Sequence, residues 1–184
     1  MWGESRAVTA PLHPDPACAI AHGALPPEVG QRTLVAVFVT PVTEFLLHFG
    51  RDLGYRTIMM DPDSDRLAWA EWRYADQVAT VPTDEFVDRN ADIVITDHDR
   101  PELGEVLESF LRLPARWIGV MGSLRHTAPH IDALRRLGVP DQVIGRIRRP
   151  IGLNIGSHTP AEIALSTLAG LISDRNRRPG GFSF

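Results

Sequence analysis

Three stretches of this sequence combine residue types that could bind or transform a ligand. Thr96-Asp97-His98-Asp99 sets an imidazole between carboxylates. Such a histidine suits a general base, a metal ligand or a hydrogen-bonded turn, because its charge changes near neutral pH. Nothing close in sequence supplies the further ligands of a zinc site, so no metal is expected there. The second stretch, Trp117-Ile118-Gly119-Val120-Met121-Gly122-Ser123, offers close backbone approach at Gly119 and Gly122. Ser123 adds a hydroxyl just ahead of a helix, where free amides can hold an anion. A tight strand-to-helix turn is the competing reading.

The third stretch, Pro150-Ile151-Gly152-Leu153-Asn154-Ile155-Gly156, carries more constraints than a connecting loop needs. Gly152 and Gly156 flank the amide of Asn154, and Thr159-Pro160-Ala161-Glu162 follows as a capping box. A loop so built faces a ligand at a helix N-terminus. Arg148 and Arg149 precede it and are placed to attract phosphate, unless they are solvated surface charges. Asp61 ends an apolar run about 20 residues after the turn Val39-Thr40-Pro41-Val42-Thr43, where a ribose-binding acid is expected; a turn and helix cap, Asp61-Pro62-Asp63, competes. His126 and His130 are four apart, but Pro129 places the helix start near the second, so the pair is not read as a metal site.

These residues need a frame that brings them together. Leu34-Val35-Ala36-Val37-Phe38-Val39 has the length and continuity of a strand buried on both faces. Phe45, Leu46, Phe49 and Leu53 follow at helical spacing, closed by Gly54. Thr57-Ile58-Met59-Met60, Ile93-Val94-Ile95-Thr96 and Trp117 to Met121 read as further strands. Leu103 to Leu111, a segment carrying Ile131, Leu134 and Leu137, and the segment from Thr159 to about Asp174 read as helices. Alternation of this kind predicts a three-layer α/β fold, Rossmann-like, with a mostly parallel sheet and helices on both faces. Ligands of such sheets bind beyond the C-terminal strand ends, where the three stretches lie. Residues 1–32, with prolines at 11, 14, 16, 26 and 27, read as an extended lead-in or linker, residues 33–176 as the domain, and residues 177–184 as a flexible tail.

Composition narrows the chemistry. The 184 residues include 19 arginines and no lysine, which excludes a Schiff-base lysine and a Walker-type phosphate lysine. The single cysteine, Cys18, cannot form an internal disulfide or a CxxC redox pair. Residues 1–111 carry a charge of -11 and residues 112–184 carry +7, so an anion would be drawn to the second part. The acidic whole argues against nucleic-acid binding. No apolar run approaches the roughly 18 residues of a membrane span, and no signal peptide is evident, so a cytoplasmic protein is expected.

The second and third stretches, together with Thr159-Pro160-Ala161-Glu162-Ile163-Ala164, resemble the xanthine dehydrogenase accessory factor (XdhC/CoxI) family, C-terminal Rossmann-like domain. Asp61-Pro62 and Thr96-Asp97-His98-Asp99 follow the same order, and the similarity covers about residues 33–174. The resemblance implies an accessory protein that binds or delivers molybdenum cofactor, of the molybdopterin type, to a molybdenum hydroxylase such as a xanthine or carbon monoxide dehydrogenase. A dimer or other homo-oligomer is the accompanying expectation. The site residues expected are Asp61, His98, Asp99, Gly119, Gly122, Ser123, Arg148, Arg149, Gly152, Asn154 and Gly156, with catalytic residues unassigned. Three positions depart from the family: Val39-Thr40 replaces a glycine-rich turn, no aspartate follows the His98-Asp99 pair within residues 101–104, and Asn154 stands where an aspartate is usual. An N-terminal domain with a cysteine motif, found in longer members, is not expected within the first 32 residues. Two other readings stay open: an NAD(P)-dependent oxidoreductase, resting on fold and Asp61, and a non-catalytic interaction module whose ligand crevice is closed.

Overall fold

The computed structural model describes residues 16–25, 30–69, 71–123 and 128–181. His126 and most of the N-terminal lead-in lie outside the described residues. The chain divides at Gly30 into two units. Within the first, Pro16–Ala21 forms helix α1, which corrects the expectation of extended chain there. Pro16 takes the first helical position, where its missing N–H costs nothing, and the alanines that follow favour helix. Cys18 is exposed.

The second unit runs β1 (Arg32–Val37), α2 (Pro41–Asp52), β2 (Tyr55–Met60), α3 (Ser64–Ala68), β3 (Gln77–Ala79), β4 (Ala91–Ile95), α4 (Leu103–Leu111), β5 (Trp117–Val120), α5 (Pro129–Arg136), α6 (Asp141–Ile144), β6 (Ile147–Arg148) and α7 (Pro160–Arg175). The six strands pair in the order β3-β2-β1-β4-β5-β6, every pairing parallel. This is a Rossmann-like α/β sheet whose order reverses between β1 and β4. Side chains of β1 divide by parity. Leu34 and Ala36 enter a core with Leu46, Leu47, Leu168 and Leu171, whereas Val35 and Val37 enter one with Leu107, Phe110 and Leu134. Helices α2 and α7 therefore cover one face and α4 and α5 the other. At Gly50 a Cβ would stand 2.6 Å from Leu34 Cδ2, so glycine sets how closely α2 approaches the sheet.

The N-terminal edge of the sheet anchors α7. Asp92 has no exposed surface and accepts from Arg116 Nε at 2.5 Å and Arg175 Nε at 2.9 Å. Arg116 also reaches Asp174 at 2.6 Å. The far end of α7 is thus fixed, and with it the loop packed along the helix. Arg178 N donates to Ser173 O at 2.9 Å, and a Cβ at Gly180 would stand 2.9 Å from Leu153. Residues 178–181 fold back against the loop rather than forming a free tail. Among the described residues no helix is long and apolar enough to cross a membrane.

Candidate functional site

The strand ends at the reversal point are closed by their own side chains. Phe38 leaves β1 with φ of 73°, a left-handed conformation that glycine would adopt without cost. The next amide, Val39 N, donates to Asp61 Oδ2 at 3.0 Å. Thr40 caps α2, and Pro41 supplies no donor. Thr43, without exposed surface, donates to Phe38 O at 2.7 Å and lies 3.1 Å from Thr96 Oγ1. Arg100 donates to Val39 O at 3.2 Å and pairs with Asp97 at 2.9 Å. Val39 N and Thr43 N are therefore engaged with protein acceptors, and position 41 offers no amide to a pyrophosphate.

Asp61 is equally committed. Its Oδ1 accepts from Asp63 N at 3.0 Å and from Arg66 Nε at 2.9 Å, and Arg66 continues to Glu102 at 2.8 Å. The hydrogen bond from Arg66 holds Glu102 below its usual carboxylate range. Through these contacts Asp61 staples the first loop to β2. The 690 Å³ cavity beside Thr40 and Pro41 is lined by Glu44, Glu71 and Arg73 with Trp72 and Tyr74, and two carboxylates there oppose a phosphate chain.

A second cavity, of about 780 Å³, opens between the end of β5 and the loop leading to α7. It brings together Gly122, Ser123, Gly152, Asn154 and Gly156, with Met121, Ser157 and Ile163 completing its wall. The loop owes its course to contacts with α7. Ser166 Oγ donates to Leu153 O at 2.6 Å, and Leu153 N donates to Ser166 O at 3.1 Å. Gly152 has φ of 86°, and a Cβ on it would meet Ser166 Oγ at 2.6 Å, so its smallness serves loop-to-helix packing. Gly156, with φ of 70°, has nothing within 4 Å of its Cβ position and faces open space.

The helix beyond is capped as its sequence requires. Thr159 Oγ1 accepts from Glu162 N at 3.2 Å, while Glu162 Oε2 accepts from Thr159 N at 3.0 Å and His158 N at 2.7 Å. Those two backbone donors hold the Glu162 carboxyl below its usual range. Of the first amides of α7, Glu162 N is engaged by this box and Pro160 supplies none.

The remaining expected residues spread over other places. Gly119 is needed by packing: a Cβ would collide with the Trp117 ring and meet Ile151 at 2.6 Å. Gly122 makes room for Arg149, whose guanidinium would lie 2.7 Å from a Cβ there and which donates to Ser123 O at 3.2 Å. Arg148 lines a separate cavity with Arg116, Arg146 and Asp174, so it does not share the loop site. His98 is partly buried on the β4–α4 loop, 3.6 Å from the exposed Asp99. Among the described residues no three His, Cys, Asp or Glu side chains come together to hold a metal ion.

Sequence reasoning considered His130 only as half of a histidine pair and did not reveal its relation to Arg149. His130 is buried at the start of α5 and is kept below its ordinary pKa by burial, then by the charges of Arg149 and His98. The arginine was visible before the loop, but spacing alone does not reveal a histidine from another element beside it.

Comparison with known proteins agrees with this architecture. A 77-residue stretch, 42% of the chain, is 39% identical to the uncharacterized protein YqeB of Escherichia coli (strain K12), of which it covers 14%. The fold is similar, with a TM-score of 0.60 and 24% identity over 84% of the chain, to a crystal structure described as a xanthine dehydrogenase from Bacillus halodurans. The chain spans 46% of that protein's length, and the likeness shows the fold. Residues 34–171 match the XdhC Rossmann domain, from β1 through most of α7, and on that match the chain belongs to the XdhC Rossmann domain family.

Proposed function

We propose that this domain binds a molybdopterin-type molybdenum cofactor in the cavity between residues 121–123 and 150–157, and delivers it to a molybdenum hydroxylase of the xanthine or carbon monoxide dehydrogenase type. The observation that carries the reading is the contrast between two sets of strand ends. At the reversal point Thr43 is buried and Asp61 staples the loop, whereas the β5 and α7-loop ends surround an open cavity whose largely apolar wall carries a few polar side chains. Ser123, Asn154 and Ser157 line that cavity with groups that can pair with the amide edge of a pterin. Arg149 donates to the backbone of Ser123 on the wall of that cavity and itself lines a different one. The bound cofactor would carry the redox chemistry, while this chain's residues orient and release it.

The same geometry does not fit NAD(P), because the pyrophosphate cradle and the ribose acid are both used internally. A non-catalytic interaction module is the second reading, favoured by the burial of Thr43 in the crevice. We also propose a cytoplasmic homo-oligomer as the working form, which light scattering would check.

Reconstitution tests the main reading. Molybdenum-loaded molybdopterin cofactor and a cofactor-free molybdenum hydroxylase are incubated with or without this protein. A larger activated fraction with the protein present is expected, reduced by Asn154→Ala about three- to tenfold, as loss of one hydrogen bond implies. Equal activation with and without the protein overturns the reading and leaves the interaction module.

A further inference from the structure

We propose that the cavity beside the start of β5 is a site for a divalent oxyanion of the phosphate class, held by Arg116, Arg146 and Arg148. It measures about 240 Å³, and Trp117, Ile118 and Asp174 line it together with the three arginines. The cavity read above as a cofactor site lies beyond the other end of β5, so neither reading rests on the other.

The strands bring these charges together. Arg146 and Arg148 flank Ile147, whose side chain is 8% exposed and belongs to the core. Alternate residues of a strand share a side, which puts both arginines opposite that core contact. Both are exposed, and both line the cavity. Arg116 immediately precedes β5, the strand that pairs with β6. It is fixed by donating to Asp92 at 2.5 Å and to Asp174 at 2.6 Å.

The charge balance covers every ionic group that these contacts join. Asp92 and Asp174 bring two negative charges, and they are matched by Arg116 and by Arg175, which donates to Asp92 at 2.9 Å. Arg146 donates only to Leu111 O, at 3.5 Å, and a carbonyl leaves a guanidinium charge uncompensated. Arg148 makes no hydrogen bond or ion pair among the described residues. The nearest further acid along α4, Glu108, is held by Arg112 at 2.6 Å. Two positive charges at this cavity therefore lack a counter-charge within the fold.

Size and chemistry select the ligand. The cavity equals about eight water volumes, room for a tetrahedral oxyanion with some hydration and too little for a dinucleotide. A dianion balances both charges, whereas a carboxylate balances one. Guanidinium forks donate in pairs to such oxygens and stay charged at every working pH.

Calorimetry with sulfate, inorganic phosphate, phenyl phosphate and acetate at constant ionic strength tests the proposal, with amide and indole NMR to locate binding. Sulfate should bind more tightly than acetate and shift the Arg148 amide and the Trp117 indole. Its affinity should stay level from about pH 5 to about pH 8, since arginine does not titrate there. Phenyl phosphate should bind more tightly across that interval as it takes its second charge near pH 6. Arg146→Met and Arg148→Met, both at exposed positions, should each weaken sulfate binding about tenfold, the loss of one charge-assisted contact. Arg136→Met, exposed on α5, removes the same net charge elsewhere and should leave the affinity unchanged.

Phenyl phosphate binding as tightly as inorganic phosphate assigns the site to phosphate esters, and binding of inorganic phosphate alone assigns it to the free ion. Equal sulfate binding by wild type and Arg148→Met, or an equal loss in Arg136→Met, overturns the proposal. So do NMR shifts that avoid residues 115–118 and 146–148. A hexaglutamate peptide that binds more tightly than sulfate and needs Arg148 would also overturn it, making the cavity a docking point for an acidic protein segment.

Discussion

Asp61 spends both carboxylate oxygens on protein donors, and the account of the closed crevice depends on that commitment. With Val39 N, Asp63 N and the Arg66 guanidinium all directed at a group without exposed surface, Asp61→Ala should cost about 3 kcal/mol in urea unfolding. A loss below about 1 kcal/mol would mean that the staple is not needed. His130 gives a second residue-scale prediction. Its folded pKa lies below the unfolded value of about 6.5, so the unfolded chain takes up the proton first. Stability from neutral His130 is therefore complete above that value and lost as pH falls through the folded pKa. Wild type should lose this increment on acidification, and His130→Asn should lack it. The sequence pointed to His98, Ser123 and Asn154 as polar residues at strand ends, which is where they lie. It could not show that Gly119 and Gly122 accommodate Trp117 and Arg149, because the side chain that fills a glycine's space comes from another part of the chain.

At the scale of elements, the loop before α7 and the helix form one unit. Gly152→Ala would bring a Cβ to 2.6 Å from Ser166 Oγ at a positive φ, and should destabilise the domain by about 2 kcal/mol, read as a lower thermal midpoint. The capping box gives a pH test. Glu162 titrates below its usual range, so its contribution is present above the unfolded pKa of about 4.3 and fades as pH falls through the folded value. The protection factors of the His158 and Thr159 amides, referenced to intrinsic exchange at each pH, should drop over that fall. Glu162→Gln can still close the box and should remove the pH dependence. The buried strands β1, β2, β4 and β5 and the longer helices were legible from apolar runs and helical spacing. Two-residue β6, three-residue β3 and the short α3 and α6 were not, because hydrophobic periodicity needs more residues than they contain.

For the whole molecule, one sheet offers two sets of strand ends, and they differ in how their polar groups are used. The strand order 3-2-1-4-5-6 would ordinarily direct a dinucleotide to the β1 and β4 ends, but there Thr43, Arg100 and Asp61 are engaged within the fold. The second cavity is lined by residues of the more basic second part of the chain, and none of its lining side chains is charged. Membership of the XdhC Rossmann domain family sets the context, while the proposed place of binding rests on these contacts. The most direct test is an amide-resolved NMR titration of the isotope-labelled protein with molybdopterin under anaerobic conditions, repeated with NADH. Perturbations centred on Gly122, Ser123, Asn154 and Gly156 are predicted for molybdopterin, with NADH leaving the spectrum unchanged at millimolar concentration. Perturbations centred on Val39, Thr40 and Asp61 by either ligand, or no response to molybdopterin, would contradict the account.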